Sequence, residues 1–109
     1  MVYCHHMVTY LFSARDPQGR VVGLTQACYS LHILVEHPDL ADVDEIEETI
    51  RKPEYIAQDA IDANRLIYYR TYQRRPAHWL IKVVVEAEEV VTAYRVKRLK
   101  RGETILWQR

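Results

Sequence analysis

Five side chains in this sequence have the types needed to work on a phosphate: His32, Arg70, Lys82, Thr92 and Tyr94. An imidazole titrates near neutrality and suits proton transfer, whereas guanidinium and ammonium groups stabilise anionic oxygens. Hydroxyl and phenol groups add hydrogen-bond donors, and tyrosine rings are surfaces on which unpaired bases stack. Tyr68 and Tyr72 would join Tyr94 in that last role. The stretch VVTAYRVKRLKRGETILW, residues 90–107, follows a hydrophobic strand with five cations, Arg95, Lys97, Arg98, Lys100 and Arg101. The question it poses is whether these form a solvated tail or the floor of a site for an anion.

Other chemistries find less support. In HILVEHPDL the two histidines, His32 and His37, are five residues apart. Zinc motifs of the HExxH and HxxEH kind need four, which puts both ligands on one helical face. Here Glu36, rather than His37, shares a face with His32, and His37 is assigned to shaping the turn at Pro38. Cys4, His5 and His6 are consecutive rather than spaced as chelators, so no metal or other cofactor is expected. Neither Cys4 nor Cys28 has an evident activating base, there is no G-x-S-x-G elbow, and three glycines cannot line a phosphate-cradling loop. His32 itself has a plainer reading: a half-buried histidine satisfied by Glu36 or a backbone carbonyl.

The elements that position these residues follow from periodicity. With 49% hydrophobic and 28% charged residues, the 109-residue chain reads as one domain, residues 1–109, with a single core. No apolar run reaches membrane-spanning length and no secretory signal is evident, so a cytoplasmic protein with reduced thiols and no membrane partner is expected. Residues 1–24 hold a β-hairpin, MVTYLFS and RVVGLT around a turn-rich link. Residues 25–53 hold two helices, the first capped by Thr25 and the second by Asp42, with Glu45 as its capping-box partner. Leu24, Ala27, Cys28, Leu31, Leu34 and Val35 mark the apolar stripe of the first, and Val43, Ile46 and Ile50 that of the second. Residues 65–108 hold RLIYYRTY, HWLIKVVVE, EVVTAYRV and TILWQ, a meander of antiparallel strands. The expected fold is α+β, with the two helices on one face of a four- to five-stranded antiparallel sheet and the other face partly open.

Strand alternation then assigns the open face. A lysine beneath helices would be costly, so Lys82 should point outward, and small Ala93 suits close packing, leaving Thr92 and Tyr94 beside Lys82. The matching set in 65–72 would be Tyr68, Arg70 and Tyr72. Charge is also segregated along the chain. Up to Asn64 there are eleven acids against four bases, a net −7, and from Arg65 onward the balance is +7. A chain polarised in this way can hold a polyanion on one side while its formal charge is zero, or its halves can pair as surface salt bridges.

From about Tyr29 to Trp107, the pieces HILVEHPDL, EIEETIRKPEYIAQD, RLIYYR, WLIKVVV, VVTAY and GETILW resemble the phage-associated nuclease-like domains of the barnase–EndoU–colicin–RelE-like fold group. The resemblance implies metal-independent RNA cleavage on the open sheet face, without a cofactor. Attack by the RNA 2′-hydroxyl would cut RNA and leave DNA intact. It implies His32 as the helix-borne acid–base group, Arg70 as the strand-borne cation, and Thr92 with Tyr94 as donors to phosphate. Lys82 joins them by strand phase as a substrate-binding group, as do Tyr68 and Tyr72. On that reading, loss of His32 lowers turnover by about two to four orders of magnitude, and an inhibitor or antitoxin protein would cover the basic face. Two other functions fit the same residues: a non-catalytic nucleic-acid or protein-binding domain, and an interaction domain whose acidic half docks a basic partner.

Overall fold

The computed structural model of the chain describes residues 8–72 and 78–109. It begins with the hairpin of β1 (Tyr10–Arg15) and β2 (Val21–Thr25), whose inward positions are Phe12, Ala14, Val22 and Leu24. Asp16 makes the turn. Its carboxylate accepts from the backbone N–H groups of Gln18 (2.8 Å) and Arg20 (2.9 Å), the Arg20 guanidinium (3.0 Å) and the Tyr68 hydroxyl (2.6 Å). Burial works against its charge, but these four donors together hold the carboxyl below its ordinary value. Glu54 is likewise held low: burial opposes its charge, and hydrogen bonds from Thr71 with the charges of Arg109 and Arg70 outweigh it.

Carboxylates depressed in this way contribute stability above their unfolded pKa of about 4, and that contribution disappears as pH falls through the lower folded values. The unfolding free energy in urea is therefore expected to decline below about pH 4. Asp16→Asn should make the decline shallower; an unchanged acid profile in that variant would contradict the assignment.

Thr25 caps the first helix, its hydroxyl accepting from the Cys28 N–H at 3.0 Å. The helix, residues 26–36, contains a wide π turn at Tyr29–Ile33, with Leu34 N–H donating to the Tyr29 carbonyl. The wider turn rotates the buried face away from the one expected from regular spacing. Tyr29 and Ile33 are buried and Cys28 and Leu34 pack beside them, whereas Ala27, Leu31 and Val35 face outward. The second helix, Val43–Arg51, follows its expected cap: Asp42 accepts from Asp44 N–H at 3.0 Å, and Ile46, Thr49 and Ile50 are fully buried.

The sheet has seven strands in the described residues, in the order β1-β2-β6-β5-β4-β3-β7. The remaining strands are β3 (Tyr55–Gln58), β4 (Arg65–Thr71), β5 (Leu80–Glu86), β6 (Glu89–Val96) and β7 (Thr104–Gln108). The fold is thus α+β, but larger than the expected meander in two ways. The hairpin joins the sheet through a parallel contact of β2 with β6 at Gly23↔Glu89, and the four-residue β3 inserts between β4 and β7. β3 is too short to announce itself by alternation.

Both helices pack on one face, over Tyr68, Tyr72, Ile81, Val83, Val85, Val90 and Ala93. The other face is not open either. Because β6 lies three strands away from β7, the chain must cross β5, β4 and β3 to make the last strand. Residues 97–103 make this crossing as a strap over the second face, and Leu99 packs there on a smaller apolar cluster that includes Ile67, Tyr69 and Val84.

Candidate functional site

The structure divides the residues expected to form one site. Lys82, Thr92 and Tyr94 do share the face opposite the helices, since Lys82 is paired with Tyr94, and Val84 with Thr92. Tyr68, Arg70 and Tyr72 do not. Cross-strand partners share a face, and Tyr68 and Arg70 stand opposite Val83 and Ile81 of the helix-side core. Tyr69, the neighbour of Lys82, takes the place expected for Tyr68. Two consecutive tyrosines leave the phase of β4 undecided by hydropathy. Asp16 settles it by accepting the Tyr68 hydroxyl, so that ring can be buried without an unpaired polar atom.

Each of the displaced groups has a structural partner. The Tyr72 ring is buried and its hydroxyl donates to the Asp39 carbonyl at 3.4 Å. Arg70 donates to the Lys52 carbonyl at 2.7 Å, where a cation suits the C-terminal end of the second helix. His32 lies on the first helix with its Nε2 3.4 Å from Glu36, the plainer of its two readings. Cys4, His5 and His6 lie outside the described residues. Among those described, no three His, Cys, Asp or Glu side chains gather as a metal site, and no helix is long and apolar enough to cross a membrane.

Lys82 also differs from expectation. Its side chain is 6% exposed and forms a 3.1 Å ion pair with Glu103, which is 1% exposed. The Tyr69 hydroxyl donates to the other Glu103 oxygen and accepts from Lys100 N–H at 3.4 Å. Burial disfavours the ammonium, but Tyr69, Glu103 and Tyr94 outweigh it and hold the Lys82 pKa above its usual value. Burial, aided by the bond to Glu103, pushes the Tyr69 phenol up to about 12. This cluster fastens the strap to β4 and β5. Lys82 is therefore neutralised from within rather than presented to a ligand. Gly102 completes the crossing at φ +88, a conformation that side chains other than glycine adopt poorly.

What the strap holds outward is a groove of about 1130 Å³ lined by Trp79, Val96, Lys97, Arg98, Leu99, Lys100 and Arg101. Leu99 points into the second-face cluster, while Lys97, Arg98, Lys100 and Arg101 are exposed. None of these four is ion-paired among the described residues, in contrast to Lys82, Arg65 and Arg95. The Lys97 ammonium lies over the Trp79 ring at 5.3 Å. Arg95 sets one wall: it is paired to Asp39 at 2.6 Å, and its guanidinium lies 5.2 Å from both the Tyr72 and Trp79 ring centroids. The acidic second helix lies on the opposite face, so the charge segregation along the chain becomes segregation in space.

His37 is the histidine that sequence reasoning missed. Only Gly23↔Glu89 joins β2 to β6, and the first helix lies along the rest of that edge, with Cys28 Sγ donating to the Val90 carbonyl at 3.2 Å. At its end, His37 stacks on Tyr94, with ring centroids 5.3 Å apart and planes 27° from parallel. The signal available in the sequence was the length of the first helix, which ends where β6 carries Tyr94. The groove was signalled by the cation run itself, but site residues were sought in the strands on either side of it. No family model and no curated protein matches this sequence.

Proposed function

We propose that this domain binds nucleic acid, RNA above all, by gripping its phosphates in the groove beneath Trp79 and the strap. The observation that carries this reading is the convergence of Lys97, Arg98, Lys100 and Arg101 on one groove without acidic partners among the described residues. Four unpaired cations on a rigidly fastened segment offer a polyanion phosphate contacts whose counterion release drives binding. RNA is the preferred ligand on the strength of the resemblance to the barnase–EndoU–colicin–RelE-like group. Fluorescence anisotropy of a labelled RNA with the full chain tests the reading. Salt-sensitive binding is expected, and a flat anisotropy at about 50 mM salt would refute it.

A second reading is cleavage of the bound RNA, favoured by the position of His37 against Tyr94 on the face that also carries Thr92. An imidazole there would take the role first assigned to His32. The RNA 2′-oxygen loses its proton and forms a bond to the adjacent phosphorus, the bond from phosphorus to the 5′-oxygen breaks, and that oxygen is protonated on departure. Thr92 and Tyr94 would donate to the phosphate, and the strap cations, rather than Lys82 or Arg70, would offset its added charge. Incubation with RNA in EDTA is expected to give cyclic phosphate ends. His37→Ala should slow the reaction at least about 100-fold, and His32→Ala should leave it unchanged. Intact RNA after long incubation would remove catalysis and leave binding.

A further inference from the structure

Proteins that hold unpaired strands combine a cationic track with free aromatic faces on which successive bases stack. The groove has the cations, but its rings are engaged. Trp79 packs against the helix-side core and has Arg95 and Lys97 over its ring at 5.2 and 5.3 Å. Tyr94 is partly buried and stacked on His37. Tyr69 is fully buried with its hydroxyl on Glu103, and Tyr72 is buried beneath Arg95. The side chains left to meet a ligand are lysine and arginine tips on a short irregular segment. These groups reach phosphate oxygens, and the short irregular segment that carries them is neither a helix nor a paired ribbon that could enter a major groove.

Building on the nucleic-acid reading above, we infer that the ligand is a duplex, held through its backbone and independent of base sequence, rather than an unpaired strand read through its bases. A duplex presents the higher phosphate density and asks for no stacking surface, which is the combination this groove can satisfy. It also means that the apolar side chains in the lining, Val96 and Leu99, contribute to the shape of the groove while the charged tips contribute the binding.

The test compares one oligonucleotide sequence as a single strand and annealed to its complement, as RNA and as DNA, titrated with the full chain by anisotropy. The duplex is expected to bind more tightly, by about threefold or more at low salt. If all four cations are used, duplex DNA should lose about 150-fold in affinity between about 50 and 200 mM salt, and a single strand about 50-fold. Scrambling the sequence should change duplex binding less than about twofold, because phosphate contacts carry no base information. Tight binding by duplex RNA or duplex DNA supports the inference, and the ratio between them separates A-form shape from charge alone. Tighter single-strand binding, with quenching of Trp79 emission in a Trp107→Phe background, would overturn the inference while leaving nucleic-acid binding intact. Binding by neither form would overturn both.

Discussion

Reversing Lys97, Arg98, Lys100 and Arg101 to glutamate together is expected to lower affinity for RNA by more than about 100-fold at low salt. Each phosphate contact contributes roughly 0.7 to 0.9 to the slope of log affinity against log salt, so removing four should leave the residual binding nearly independent of salt. Stability should be unaffected within about 0.5 kcal/mol, because the four side chains are exposed and none is ion-paired among the described residues. Single reversals should each give a part of the loss. Neutralising Asp44, Glu47 and Glu48 on the second helix, which lies on the other face, should not weaken binding. Wild-type affinity in the fourfold variant would mean that the groove is not the interface.

The second large effect concerns the strap's fastening. Lys82→Met leaves the Glu103 carboxylate buried without its cation, and breaking a buried pair from one side costs about 3–5 kcal/mol. Against a typical total of about 5–15 kcal/mol, that is a large fraction of the fold's stability. The double variant Lys82→Met with Glu103→Leu removes both charges and should recover much of the loss, since apolar replacements of a buried pair are often neutral. The raised lysine pKa fixes the pH range: the pair's contribution is fully present below the unfolded value of about 10.4 and disappears only as pH rises through the higher folded value. Urea denaturation of the four members of the cycle measures the coupling. A Lys82→Met variant within about 1 kcal/mol of wild type would show that Glu103 protonates or finds water at little cost.

The local devices were the legible part of this fold. Thr25 and Asp42 were readable as helix caps because a short side chain with an oxygen acceptor before an apolar-periodic run has one main use. Ile46 and Ile50 were readable as core for the same periodic reason. Tyr29 and Ile33 were not, because a single wide turn shifts the phase of everything after it, and hydropathy carries no mark of that turn. The face of β4 failed similarly, since RLIYYRT is apolar or aromatic in either phase and the deciding group, Asp16, is 52 residues away from Tyr68 in sequence.

Lys82 was placed on its correct face by a sound argument, that an ammonium avoids an apolar layer. The conclusion that it would therefore be free did not follow, because the strand order forces residues 97–103 across that face and brings Glu103 with them. The consequence for function is direct. The cations in the strands, Arg70, Lys82 and Arg95, have partners that stabilise the fold, and those between the strands have none among the described residues. The five-cation run was the right feature to question, and its answer lay in the crossing it makes rather than in the strands around it.

Backbone amide chemical shifts recorded during titration of the full chain with RNA test the proposed interface most directly. Perturbations are predicted to concentrate at Trp79 and residues 96–101 and to leave the second helix, Val43–Arg51, unmoved. A spectrum unchanged at saturating RNA, or shifts gathered on that acidic helix or on the β1–β2 hairpin, would contradict it.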